Sequence, residues 1–117
     1  MKVGFIYSEK SKGYEELIQK IIDTLAKEYS SILVENIQNK VTRKKYDLYV
    51  LFSDDFSDTE YNLNKYKCNN KVILITSNLN EKYITYCIDK VKDIVYAKNT
   101  METIYKRISD GVKRNLC

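Results

Sequence analysis

The sequence predicts an α/β fold, a three-layer, doubly wound sheet of five parallel strands in the order 2-1-3-4-5. Three observations predict it. Short apolar runs alternate with stretches whose apolar residues recur every three or four positions, the pattern of parallel strands joined by helical crossovers. Two of the runs, 47–53 and 71–77, are apolar almost throughout, as strands covered on both faces must be. A third run, 31–37, carries Glu35 and Asn36 and reads as an edge, which leaves the first, third and fourth runs at the centre.

Taken in order, Lys2 to Tyr7 is a short apolar run that turns polar at Ser8, the signature of a buried strand entering a loop. Tyr14, Leu17, Ile18, Ile21, Ile22 and Leu25 then form one apolar helical stripe, with Glu15 and Glu16 well placed in the first turn. Residues 31–37 make the second strand, and Gln38 to Lys45 is a basic connector with one apolar residue, Val41, so any crossover there is short. After the third strand, Ser57-Asp58-Thr59-Glu60 has capping-box spacing and predicts a short helix through Tyr61 and Tyr66. The fourth strand follows, and Ile84, Cys87, Ile88 and Val91 mark the face of the next helix. Asp93 to Ala97 is the fifth strand. A second capping box, Asn99-Thr100-Met101-Glu102, precedes a stripe of Met101, Ile104, Tyr105, Ile108 and Val112 that carries the last helix nearly to Cys117.

The length of 117 residues suits one domain spanning 1–117, able to bury about two-thirds of the surface its unfolded chain exposes. Histidine is absent, which removes Ser-His-Asp and Cys-His catalysis, histidine metal sites and histidine acid/base chemistry. Proline and tryptophan are absent too, so no cis-proline turn shapes a site. Cys68, Cys87 and Cys117 form no CxxC pair, and an odd count without a signal-peptide pattern points to reduced thiols in a cytoplasmic protein with no membrane span. Cys87 shares an apolar stripe and reads as a core residue. The net charge is +4, unevenly spread: residues 51–64 hold four acids and no base, whereas 65–117 hold eleven bases and five acids. Eleven tyrosines raise the question of base stacking, but Tyr14, Tyr49 and Tyr105 fall on or beside apolar faces, and Lys106, Arg107, Lys113 and Arg114 read as a solvated helix face. Nucleic acid is therefore not an expected partner. With three glycines, at 4, 13 and 111, the chain has no Walker loop, GxGxxG fingerprint or GxSxG elbow.

Ligands in doubly wound sheets bind beyond the carboxyl ends of the strands, at the switch point between the first and third. That rule gathers Ser8, Glu9, Ser11 and Gly13 from the first loop, Ser53, Asp54 and Asp55 from the third, Thr76, Ser77 and Asn78 from the fourth, and Lys98 and Asn99 from the fifth. Glu9, Asp54 and Asp55 together would supply enough hard oxygen for a hydrated Mg2+. Ser8, Ser11, Ser53, Thr76 and Lys98 would meet a phosphate or phosphoryl group. The competing reading makes the acids a solvated loop with a helix-capping residue, and Lys98 a surface lysine.

Two families resemble this chain. Lys71-Val72-Ile73-Leu74-Ile75-Thr76-Ser77 resembles the fourth strand of response-regulator receiver domains with its switch threonine, and Asp93-Ile94-Val95-Tyr96-Ala97-Lys98 resembles their fifth strand ending in the phosphate-contacting lysine. The resemblance implies that Thr76 would report phosphorylation and Lys98 would pair with the phosphoryl group. Phe52, however, stands where the acceptor aspartate ends the third strand, and the acidic pair after the first strand is reduced to Tyr7, Ser8 and Glu9. Asn99 and Val95 replace the family's proline and switch aromatic. The pattern is that of a pseudo-receiver, with binding faces but without the phosphorylation switch.

The first half is also similar to flavodoxin-like proteins. Phe5-Ile6-Tyr7-Ser8 followed by Lys10-Ser11-Lys12-Gly13-Tyr14 resembles their phosphate loop, and Tyr46 to Ser53 their third strand. This likeness implies that Ser8 and Ser11 would hold the phosphate of FMN at a helix N-terminus, with Phe56 or Tyr83 stacking on the flavin.

The leading expectation is a non-enzymatic regulatory or protein-binding module resembling a degenerate receiver, meeting a protein partner or a second copy through its C-terminal helices and fifth strand. A small flavodoxin-like flavin-binding or electron-transfer protein is the alternative, and a nucleotide- or phosphate-sensing domain using Glu9, Asp54 and Asp55 is the third.

Overall fold

A computed structural model describes residues 1–7, 13–37 and 45–116. Among the described residues, strands β1 (Lys2–Tyr7), β2 (Leu33–Asn36), β3 (Leu48–Phe52), β4 (Val72–Thr76) and β5 (Asp93–Tyr96) are joined with helices α1 (Glu15–Glu28), α2 (Phe56–Tyr66), α3 (Glu81–Ile88) and α4 (Met101–Leu116). Every strand pair is parallel and the order is β2-β1-β3-β4-β5, as the sequence predicts. None of the helices is long and apolar enough to cross a membrane.

Strand side chains alternate between the faces. Val3 and Phe5 of β1, Val50 and Phe52 of β3, Ile73 and Ile75 of β4, and Val95 of β5 pack against Ile18, Ile21 and Leu25 of α1 and Ile104, Ile108 and Val112 of α4. The other face carries Ile6, Tyr49, Leu51, Val72 and Leu74, covered by Leu63 of α2 and by Tyr83 and Cys87 of α3. Helices α1 and α4 also meet each other, through the Tyr29 and Ser109 hydroxyls at 2.7 Å and through Tyr105 and Glu28.

Gly4 explains how β1 is covered on the α2/α3 side. A Cβ built there would lie 2.8 Å from Ile37 Cδ1 and 3.2 Å from the Tyr46 ring. The side chains of Ile37 and Tyr46, which flank the β2–β3 connector, thus pack closely over the strand backbone at this position, and a Cβ there would make the tip of Ile37 shift. The connector expected at 38–45 lies almost wholly outside the described residues.

Apart from β1, the strands are shorter than the apolar runs that predict them, by a residue or two at one or both ends, and three helix boundaries differ from the sequence reading. Helix α2 begins at Phe56, because Asp55 in extended conformation is the cap and its carboxylate accepts from Asp58 N at 3.1 Å. Ser57 is therefore inside the first turn. Helix α4 is capped by Thr100, whose hydroxyl accepts from Thr103 N at 3.2 Å, while the amide of Asn99 closes a turn onto the Tyr96 carbonyl. Helix α3 ends at Ile88, before Val91. With only eight residues it turns Tyr83 and Cys87 inward, and Ile88 stays 61% exposed instead of joining a buried stripe.

Candidate functional site

The carboxyl ends of β3 and β4 converge on Asp54, which is the centre of the best-defined polar arrangement in the described residues. Ser53 continues the β3 ladder by donating its amide to Ile75 O, and this delivers the next residue, Asp54, to the end of β4. One carboxylate oxygen of Asp54, Oδ1, accepts from Thr76 Oγ1 at 3.1 Å and from Ser77 N at 2.6 Å. The other, Oδ2, accepts from the Tyr14 hydroxyl at 3.1 Å. The Asp54 backbone carbonyl takes the Asn78 side-chain amide at 2.9 Å. One residue thereby ties β3, β4 and the entry of α1 together, with hydrogen bonds to an ionised group that are stronger than neutral ones.

Thr76 is buried at the end of β4, and its hydroxyl also accepts from Asn78 N at 3.1 Å. Asn78 in turn accepts from Asn80 N, and Asn80 caps α3 by accepting from Lys82 N, each at 3.0 Å. This succession of side-chain turns fixes the β4–α3 loop without proline or glycine. Burial pushes the Tyr14 phenol up, and the adjacent Asp54 charge pushes the same way.

A second polar cluster lies just beneath. Ser53 is fully buried, and its hydroxyl sits 2.9 Å from Thr59 Oγ1 rather than at the rim surface. Thr59 also reaches the Asp55 carbonyl at 2.9 Å and the Tyr83 hydroxyl at 2.8 Å, while Tyr83 donates to Ser53 O at 3.1 Å. Burial raises the Tyr83 pKa to about 12, against the pull of the Thr59 and Thr76 hydroxyls. Tyr83 is thus a core residue and is not placed to stack on a flavin. Phe56, 42% exposed, packs in a tilted arrangement against Tyr86, with ring centroids 4.2 Å apart.

Among the sequence-predicted residues, Asp54, Thr76, Ser77 and Asn78 come together, whereas Asp55 caps α2. Lys98 sits exposed in the turn after β5 and makes no hydrogen bond or ion pair with a described residue. Ser8, Glu9 and Ser11 lie outside the described residues. The described residues hold no group of three or more Cys, Asp or Glu side chains suited to a metal ion. Asp54 and Asp55 already spend their carboxylates on protein donors, so they fit a structural role better than that of magnesium ligands. The sequence reading missed the role of the Tyr14 hydroxyl, since it placed this residue on an apolar stripe and at the end of the loop resembling a phosphate loop. It also missed the Thr59–Tyr83 pair, for which the available signal was a lone Ser53 ending a continuous apolar strand. Neither the scan of family models nor the search of curated proteins finds a match to this chain.

Proposed function

We propose that the chain is a non-enzymatic, receiver-like contact module in which a fixed Asp54 network stands in place of a phosphorylation switch. The observation that carries the reading is the saturation of Asp54 and Thr76. The carboxylate accepts from Thr76, Ser77 and Tyr14, and the Thr76 hydroxyl is held between Asp54 and the Asn78 amide. A switch threonine must be able to turn toward a newly added group; here it is held at both ends by neighbours that are present all the time. Each Asp54 oxygen is already engaged, Oδ2 by the Tyr14 hydroxyl and Oδ1 by Thr76 and Ser77, so neither presents a free lone pair in the direction of these donors for attack on phosphorus. The first turn of α1 adds the exposed acids Glu15 and Glu16, which would repel a phosphate bound there and so weigh against the flavin and phosphate-sensing readings.

The test is incubation of the purified protein with acetyl phosphate and Mg2+, followed by intact-mass measurement. No phosphoryl adduct is expected. A stoichiometric aspartyl phosphate that disappears in Asp54→Asn would overturn the proposal.

A further inference from the structure

We infer that the groove between α3 and β5 docks an extended, acidic segment of another protein, which would place a bulky aliphatic side chain in the groove and oxygen acceptors against the open edge of β5. This builds on the contact-module reading and names the surface and the chemistry of its partner. The groove is open, about 320 Å³ in volume, and lined by Ile84, Ile88, Val91 and Ile94 with Lys92 and Asp93 at its margin. It exists because α3 is two turns long. Tyr83 and Cys87 face the core, so the next ridge of the helix lies beside the edge strand, with Ile84 half-buried against the core and Ile88 mostly exposed. The volume suffices for at least one large apolar side chain.

The backbone of β5 decides what kind of segment fits. Tyr49 N donates to Lys71 O and Ser53 N to Ile75 O, so the odd residues of β4 face β3 and its even residues face β5. With Leu74 opposite Ile94, and Ala97 N donating to Thr76 O, the odd residues of β5 bond to β4. The amides of Ile94 and Tyr96 therefore point outward. Their carbonyls are already engaged: Asn99 N donates to Tyr96 O at 3.1 Å, and Arg107 Nη2 to Ile94 O at 3.4 Å. Neither outward amide has an acceptor among the described residues. This edge offers donors and keeps its acceptors occupied.

The charges agree. Asp93 is paired with Arg107, which leaves Lys92 as the uncompensated charge at the groove. An aliphatic segment flanked by carboxylates satisfies the donors, the lysine and the groove together. A second copy of this chain does not, because two such edges would set amide donors against amide donors and lysine near lysine.

The experiment is an amide-resolved NMR titration of the 15N-labelled full chain. Its probes are two acetylated, amidated pentapeptides, one alternating Asp and Ile, the other alternating Lys and Ile. The Asp–Ile peptide should shift the Ile88, Lys92, Ile94 and Tyr96 amides saturably, and the Lys–Ile peptide should not. Ile88→Ser should weaken binding about tenfold or more without disturbing the fold, since that side chain is mostly exposed, and Lys92→Glu should weaken it as well. The inference is overturned by no saturable shift, by equal responses to both peptides, or by shifts mapping away from α3 and β5. It is also overturned by a concentration-dependent dimer in sedimentation that Ile88→Ser abolishes. An aspartyl phosphate on Asp54 would defeat the contact-module reading without altering the titration, whereas a silent titration on unphosphorylatable protein defeats only the groove.

Discussion

On the α1/α4 side the sheet is covered by helices of 14 and 16 residues, and the buried cluster there consists of aliphatic and phenylalanine side chains. On the α2/α3 side the covering helices have 11 and 8 residues, and Tyr46, Tyr49, Tyr83, Cys68 and Cys87 sit among the aliphatics. Helix length accounts for much of the difference. Long helices satisfy most of their backbone internally, so their middles can be buried as hydrocarbon. Short helices bring caps and turns close to the core, and every polar group drawn in with them needs a partner. The Ser53–Thr59–Tyr83 cluster supplies those partners, and the same shortness of α3 leaves Ile88 exposed and Ile94 only half-covered. The proposed contact surface is thus a by-product of the thinner layer.

The contrast can be broken most forcefully by cavity mutations. Ile108→Ala, in the hydrocarbon face, should cost about 3–4 kcal/mol of unfolding free energy, whereas Cys87→Ala on the other face should cost about 1–2 kcal/mol. Equal losses in denaturant titrations would remove the distinction.

Alkali should sharpen it. Burial raises the pKa of Tyr83 from 10.0 to about 12 and that of Cys68 from 9.0 to about 12, and it raises Cys87 as well. Groups whose folded pKa is raised bind their protons more tightly in the folded state. Their stabilisation is complete below the unfolded values and is lost as pH climbs from about 9 toward about 12. Tyr83 alone accounts for a loss on the order of 2 kcal/mol across that window. The measurement is the denaturant midpoint as a function of pH, and a flat profile up to the folded values would contradict it.

The smallest effect expected is that of Tyr83→Phe, about 1–1.5 kcal/mol, because Thr59 keeps its bonds to Ser53 and the Asp55 carbonyl. The substitution should also flatten the alkaline profile. An unchanged profile would place the titrating group elsewhere.

Strand order was legible because the central runs are apolar almost throughout and the β2 run is not; burial on two faces leaves that mark directly in the residues. The helix starts were legible only to within a residue or two. Asp55 and Thr100 cap α2 and α4, although Ser57 and Asn99 carry equally good local signals, since Asx and Thr side chains compete as caps and tertiary packing chooses among them. The exposure of Ile88 was not legible, because spacing identifies a stripe but not how far the helix beneath it extends. The Asp54 network was only half legible. The switch-point rule brought Asp54, Thr76, Ser77 and Asn78 to one rim, but the bond from Tyr14 spans 40 residues and comes from a side chain whose ring belongs to an apolar stripe. Pattern reports where a ring packs and says nothing of where its hydroxyl points.

The contact of Ile37 and Tyr46 with Gly4 constrains how this chain can vary. A methyl group at position 4 would meet Ile37 Cδ1 at 2.8 Å and the Tyr46 ring at 3.2 Å, so a larger residue there displaces the tip of Ile37 and presses on the ring, a strain that trimming at 37 would relieve. A larger residue at 4 should therefore be best tolerated beside a smaller one at 37. Pairwise swaps such as Gly4→Ala with Ile37→Val should recover part of the stability that Gly4→Ala alone removes. The smallest residue of β1 thus sets how closely the chain on either side of the connector packs on the sheet.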